Sequence, residues 1–550
     1  MNSIVRKVKL SIATVCVAAV APFLAYGQES SADQPAAIVS FKKIDGQLAD
    51  IKYLGTKAGF EDQVAMVPMM ARGFLPGVDL KKPMGAVVWF EGNEPRVLGM
   101  VPVSDIDSVL DQLSGFGMNV DEDGDFYFLE GPNAADIVIT AKGGYAFISD
   151  TKEHLASLPA NPETLLNGVA QDYTMGMKLF VQRIPANLRE MAISQMREGF
   201  DQAMEEMDGG DLEMLQRDAN EMQIKQLVDM VQNSDKLEVG MGVVESTDKL
   251  IFDLNFTGLP DSKLAQQAEA MKGKTSKFGK FLVDSAALNM NGFGILLEED
   301  KQNMKSLVGT LKANALSELE GDGQMSSDEA EVVQGLMDDI FALVESTIDG
   351  GFIDFGGTLM MDAGSANFMF GGNLSDASKF DALVKKVTGI AKSQNEVALE
   401  TEKVSVAGIS FDKFTVTLPE GVDQEVIDML GETVVVMMGR KGEEAYMAIG
   451  NDPGPTVEAI MGNSKSNSEY PVQYNVRLLP IMKFASNIPE AKDVIDSILA
   501  DFDSKNDRIS IFSKVIENGQ SMRGEMDADI LKMIGAAAKS AQGQLGGAEF

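Results

Sequence analysis

Ser246-Thr247-Asp248-Lys249-Leu250-Ile251-Phe252-Asp253-Leu254-Asn255-Phe256-Thr257-Gly258-Leu259-Pro260-Asp261 is the stretch that decides the fold. Leu250, Phe252, Leu254 and Phe256 alternate with period two, as in a strand with one apolar face. The polar run before them reads as a turn between two strands, and Leu259-Pro260-Asp261 opens a helix after them. Upstream, residues 174–182 read as a strand. Pro185 then starts a helix with apolar residues at Leu188, Met191, Ala192, Met196, Phe200, Ala203, Met204 and Met207, spaced by three and four. Asp208-Gly209-Gly210-Asp211 interrupts it, and a second helix runs to about Gln232. Residues 172–271 therefore read as strand–helix–helix–strand–strand–helix.

The same order recurs over 286–385. A strand carries Leu288 and Met290, and a helix carries Met304, Leu307, Val308, Leu311 and Ala315. An acidic turn, Glu320-Gly321-Asp322-Gly323, leads to a second helix and two strands, and a closing helix begins at Leu374-Ser375-Asp376. Fainter copies occupy 37–113, closing at Ser104-Asp105, and 471–538, with a turn at Glu517-Asn518-Gly519. Strand-rich inserts follow the first and third copies, at 119–160 and 402–462. Hairpin turns at 92 and 363, and at 247 and 518, lie 271 residues apart in each case. A repeat at this level points to stacked or joined copies of one supersecondary unit. The expected fold class is α+β. It is a tandem duplication of these modules with mostly antiparallel sheets, in two pseudo-equivalent halves, 28–271 and 286–550, joined by a link at 272–285 that opens with the polar Lys272-Gly273-Lys274-Thr275-Ser276.

Residues 1–27 read as a secretory signal peptide. Arg6, Lys7 and Lys9 precede an apolar stretch over 10–24, and Ala25-Tyr26-Gly27 places small residues before Gln28. Cleavage there removes Cys16, the only cysteine, and leaves 44 basic residues against 83 acidic ones, a net charge of −39. The expected mature protein is periplasmic or secreted, without a transmembrane span, and it rests on its core rather than on disulfides. Such a charge repels nucleic acid and anionic lipid.

Residue types narrow the chemistry further. Catalytic triads need a base held against Ser or Cys, and His154 is the sole imidazole. It lies in Asp150-Thr151-Lys152-Glu153-His154, a helix start. No phosphate-cradling or dinucleotide motif is present. The basic glycine pair Gly439-Arg440-Lys441-Gly442 reads as a hairpin turn. Trp89, in Val87-Val88-Trp89-Phe90, reads as a core or half-buried strand residue. The 34 methionines, many on the helix pairs (Met191, Met196, Met204, Met207, Met214, Met222, Met230), suit flexible core filling or an adaptable apolar groove.

No cofactor is expected, and calcium is the one ion the letters admit. Asn119, Asp121, Asp123 and Asp125 fall at positions 1, 3, 5 and 7 of a twelve-residue loop, with Gly124 at 6 and Glu130 at 12. The following Phe126-Tyr127-Phe128-Leu129 is strand text, so an Asp-Gly hairpin is the preferred reading. Glu318, Glu320, Asp322, Gly323 and Glu329 approach the same spacing, but Ser326 and Glu329 make a capping box for the next helix.

Gly143-Gly144-Tyr145-Ala146-Phe147-Ile148-Ser149-Asp150, together with the signal followed by Gln28-Glu29 and the repeated strand–helix–strand text, resembles uncharacterised exported proteins of planctomycete-type bacteria. The resemblance covers about a third of the chain. It implies an envelope location and carries over no catalytic residues. The expected function is a non-catalytic binding or structural protein of the cell envelope. It would engage a partner protein, a peptide or a lipid-like hydrophobic ligand through apolar helix faces or a cleft between the halves. The alternative is a carboxylate-based or calcium-dependent envelope hydrolase, for which 83 acidic residues supply material but no distinguishable pair.

Overall fold

The computed structural model describes residues 34–545, except 131–136, 207–227, 230, 322–326, 363, 394–398, 419–426, 428–430, 466, 501 and 503–505. The expected signal peptide, the acidic turn at 208–211, most of the helix after it and Met207, Met214, Met222 and Met230 lie outside the described residues. The fold is α+β with antiparallel sheets, in two compact units whose division falls after Leu264.

The first unit holds β1 (Ala37–Phe41), β2 (Met84–Glu91), β3 (Glu94–Pro102), β4 (Asn119–Asp123), β5 (Phe126–Glu130), β6 (Ile137–Lys142), β7 (Tyr145–Ser149), β8 (Met175–Phe180), β9 (Ser234–Val244) and β10 (Lys249–Gly258). They pair antiparallel in the order β10-β9-β8-β1-β2-β3-β7-β6-β5-β4. One core lies over β1–β3 and β7, where Val87, Leu98, Met100 and Phe147 are buried with Leu155 and Leu166. The other face of β2 packs on the start of the helix Ala186–Glu206 through Val88, Phe90, Ile184 and Leu188, with Met191 against them.

The deciding stretch is the expected strand, β10, yet its alternating face is not the more buried one. Phe252 is exposed, while Asp253 on the opposite face is buried. Tyr173 explains this inversion. Its ring lies where a side chain at Gly240 would stand, and Gly240 is the cross-strand partner of Asp253. Its hydroxyl donates to Asp253 Oδ2 at 2.7 Å, so the buried carboxylate has a partner.

The second unit holds β11 (Leu288–Ile295), β12 (Phe352–Asp362), β13 (Ser365–Asn373), β14 (Leu399–Val406), β15 (Ile409–Thr417), β16 (Thr433–Lys441), β17 (Glu444–Gly450), β18 (Val472–Arg477), β19 (Arg508–Ile516) and β20 (Gly519–Asp527). Its order is β20-β19-β18-β11-β12-β13-β17-β16-β15-β14, again antiparallel throughout. The register places Gln473, Asn291, Gly356, Gly371, Tyr446, Gly439 and Phe411 side by side in one row across β18, β11, β12, β13, β17, β16 and β15. Cross-strand partners point to the same face, so the glycines of this row leave a shallow trough in it.

Residues 276–283 lie in that trough. A side chain at Gly356 would meet Phe281 Cδ2 at 2.6 Å and Phe278 Cβ at 2.8 Å, and one at Gly371 would meet Phe281 Cζ at 2.7 Å. Phe278 and Phe281 are fully buried there with Phe411, Tyr446, Val457 and Ile460. The sequence reads 272–285 as a link, but within it Ser276, Phe278, Gly279, Phe281 and Leu282 are buried. Its backbone is satisfied by the sheet beneath it. Thr358 Oγ1 donates to Phe281 O at 2.7 Å, Asn289 Nδ2 to Val283 O at 2.7 Å, and Lys277 N to Asp354 Oδ2 at 3.2 Å. Burying two phenylalanine side chains contributes about 1.5–3 kcal/mol each, and each hydrogen bond about 1 kcal/mol net.

Adding a methyl group in the trough should therefore overpack it. Gly356→Ala and Gly371→Ala should each lower stability by about 1–3 kcal/mol in urea titration. Gly294→Ala, on β11 where a Cβ would meet nothing within 4 Å, should change it by no more than about 0.5 kcal/mol. Equal effects at the three positions would refute this account of the trough.

Candidate functional site

The structure places the expected calcium residues on a β-hairpin, not in a metal loop. Asn119, Asp121 and Asp123 lie along β4, Asp125 is in the turn beside Gly124, and Glu130 ends β5 opposite Asn119. A strand rises about 3.4 Å per residue, which sets Asn119 and Asp123 about 13 Å apart. Calcium ligands all lie within about 2.6 Å of the ion. The five residues are thus not brought together, and Asp123 instead faces Lys152 at 2.9 Å. The physical reason is the aromatic run after the turn: Phe126 and Phe128 pack on the first unit's core and draw the segment into the sheet. Of the second acidic run, Asp322 and Gly323 lie outside the described residues. Among the described residues no group of three or more His, Cys, Asp or Glu side chains is gathered to hold a metal.

His154 sits in a short 3-10 turn, Glu153–Leu155, as the helix-start reading anticipates in part. Its Nδ1 lies 2.7 Å from Asp150 Oδ1. Partial burial pushes the Asp150 carboxyl up, but the hydrogen bonds from His154 and Ser149 outweigh it and hold the group below the usual aspartate range. Arg96 ties this turn to β3 by donating to the carbonyls of His154 and Ser157, the latter at 2.9 Å. Its guanidinium also covers the half-buried Trp89 ring, 5.4 Å from the centroid. Both residues are thus accounted for by packing of the turn.

The helix layer leaves large apolar side chains uncovered. In the first unit Met66, Met69, Met70 and Phe74 fall within one face of the helix Val67–Phe74 and its cap, and Met69 is 75% exposed. Ile51, on the helix Ile44–Lys57, is exposed as well. In the second unit Val332, Ile340 and Val344 of the helix Ser327–Asp349 are exposed, as are Val494 and Ile534. The methionines that the sequence singles out belong to another module, and of those only Met191 has a described packing environment.

A cavity of about 530 Å³ opens in the second unit, lined by Lys277, Lys280, Ala407, Ile409, Lys441, Glu444, Met461 and Asn467. Its elements converge through the trough. Lys277 and Lys280 flank Phe278, Lys441 and Glu444 face each other across the β16–β17 turn, and Ala407 sits in the β14–β15 turn. Of the basic stretch read as a hairpin turn, Gly439, Arg440 and Lys441 end β16 as strand residues and only Gly442, at φ +65°, lies in the turn itself. Lys280 Nζ donates to Tyr446 Oη at 2.6 Å and to Glu444 Oε2 at 3.2 Å, and lies over the Tyr446 ring. Tyr446 in turn donates to Glu444. Burial first, then this bond to a carboxylate, raises the phenol far above its usual range, so Tyr446 stays protonated. Asp354, buried behind Lys277, is also raised by burial, against the opposing hydrogen bonds from Ser276 and Lys277.

Sequence reasoning missed this site because Lys441, Glu444 and Ile409 stand far along the chain from Lys277 and Lys280. The one signal was Lys441 within a basic turn of a very acidic protein. No family model, curated protein or solved structure matches the chain.

The hairpin geometry yields a test with ions. Millimolar calcium should raise the melting temperature no more than magnesium at equal ionic strength, since either cation screens the self-repulsion of a chain with net charge −36. A saturable calcium-selective rise, abolished by Asp121→Ala, would contradict the reading of 119–130 as a plain hairpin.

Proposed function

We propose that the chain is an exported, non-catalytic binding protein of the cell envelope, built by tandem duplication of one α+β half. It engages a partner protein or a lipid-like hydrophobic ligand through the apolar faces of its helix pairs. The observation that carries the reading is the stripe of Met66, Met69, Met70 and Phe74, with Met69 three-quarters exposed. Exposed apolar side chains gathered on one face mark interaction surfaces, whereas scattered ones do not. Methionine suits such a surface because its unbranched, polarisable side chain adapts to differently shaped occupants. Among the described residues no helix is long and apolar enough to cross a membrane, so the stripe is not part of a helical span.

The duplication is supported by the identity of the two strand orders, from β10 to β4 and from β20 to β14. It is supported also by register: Gly85 pairs with Met100 at the same distance from its hairpin turn as Gly356 pairs with Gly371. On that alignment Phe147, the partner of Met100, corresponds to Tyr446, the partner of Gly371.

Gentle native mass spectrometry of protein purified from its own host tests the binding reading. The wild type should carry a lipid or protein adduct that Met66→Gln/Met69→Gln/Phe74→Gln lacks. These exposed sites should alter folding stability by about 0.5 kcal/mol or less each. A bare wild-type chain, or an adduct that survives the substitutions, would overturn the assignment of the stripe.

A further inference from the structure

We propose that the lysine-lined cavity of the second unit binds a compact organic anion, a carboxylate-type head with a short apolar body. The inference goes beyond the helix-face reading and does not depend on it. The cavity, about 530 Å³ and open on one side, has room for a small ligand's head and a short body. Three ammonium groups line it, and only one carboxylate, Glu444, does so with them.

That carboxylate is already committed. Glu444 Oε2 takes hydrogen bonds from both Lys280 and Tyr446. Among the described residues, Lys277 and Lys441 have no ion-pair partner, and both side chains are exposed at the cavity. Asp354 is the nearest alternative counter-ion to Lys277, but it is buried, engaged by Ser276 Oγ at 2.7 Å and by Lys277 N, and burial disfavours its charged form. In a chain of net charge −36, two ammoniums without a carboxylate in ion-pair contact, set beside a third, make a local well for an anion, with Asp354 acting on Lys277 only at longer range.

The rest of the lining fixes the ligand's shape. Ala407 and Met461, backed by the buried Ile409, form a small apolar wall against which a short hydrocarbon body would lose water. Lys280 is held in place by Tyr446 and Glu444 and has three N–H donors, two of them used, so one remains for the ligand. Lysine presents a point charge rather than the planar fork of arginine. The site therefore selects for charge and for the apolar body, without demanding a bidentate head.

Isothermal titration of the full chain with hexanoate, hexan-1-ol and inorganic phosphate separates these features. Hexanoate should bind saturably with one-to-one stoichiometry. Hexanol, which lacks the charge, and phosphate, which lacks the apolar body, should each bind about tenfold more weakly or not at all. Lys277→Gln/Lys441→Gln should weaken hexanoate about tenfold. Both lysines are exposed, so the variant should melt within a few degrees of the wild type. Met66→Gln/Met69→Gln/Phe74→Gln should bind hexanoate unchanged, which keeps this inference separate from the helix-face reading. Absence of saturable hexanoate binding, equal affinity for phosphate, or hexanoate binding indifferent to the lysine substitutions would overturn the proposal.

Discussion

The seating of Phe278 and Phe281 on the glycine row of the second unit is the contact on which the rest of that unit depends. Gly356 and Gly371 carry no side chains, so a chain segment can lie directly on the sheet, and Gly439 makes room for the neighbouring Phe411 ring. A glycine costs backbone entropy in a strand, and here the burial of two aromatic rings offsets that cost. Close approach also requires the segment's own carbonyls to find donors, because an unpaired buried carbonyl is expensive. Thr358 and Asn289 supply them from two neighbouring strands. The polar ladder continues through Asn475, which donates to Asn289 Oδ1 at 2.7 Å and accepts from Ser510 at 2.8 Å. An apolar trough and this hydrogen-bonded polar row thus share one sheet face, while Asn291, buried in the trough row, has no hydrogen-bond partner for its amide among the described residues.

The same seating creates the lysine-lined cavity. Once Phe278 is buried, Lys277 and Lys280 on either side of it must emerge at the edge of the covered region. There they meet the turn that carries Lys441 and Glu444. Tyr446 links the two levels: its ring stacks with Phe281 in the core, while its hydroxyl joins Lys280 and Glu444 at the cavity. Gly279 permits the close approach of the 467–468 backbone, with a Cβ there only 2.8 Å from Ser468 N. Packing and charge placement are therefore two results of one arrangement. The methionine stripe of the first unit is a separate feature, arising on a short helix whose polar residues are too few to cover it.

Much of this architecture was legible in the sequence. A period-two run located β10 and three-and-four spacing the helix Ala186–Glu206, and recurrence of the same order located the helices Glu298–Gly321 and Ser327–Asp349 and the strands β12 and β13. Asp105 and Asp376 announced their helices correctly: each caps the helix that follows, Asp105 by accepting from Asp107 N and Asp376 from Ser378 N. The hairpin at 119–130 was legible because aromatic strand text followed the Asp-Gly turn. Three things were not legible. The burial of 276–283 was hidden because Phe278, Phe281 and Leu282, though spaced by three and four, amount to a single turn of pattern and stand behind six polar or small residues, 272–277. The exposure of Phe252 was hidden because periodicity reports two faces and not which is covered, and Tyr173 decided that from outside the strand. The cavity was hidden because Lys277, Lys441 and Ile409 meet only through long-range register.

Hydrogen exchange of the folded chain tests the central claim most directly, through the backbone amides of Phe281, Leu282 and Val283. Each donates within the seated segment, to Phe278 O, Gly279 O and Phe281 O. If the segment is core, these amides should exchange as slowly as those of β12 and β13 and be released with them in one cooperative unit. Exchange of the three amides orders of magnitude faster than the strands beneath them, as in a solvated link, would contradict the account.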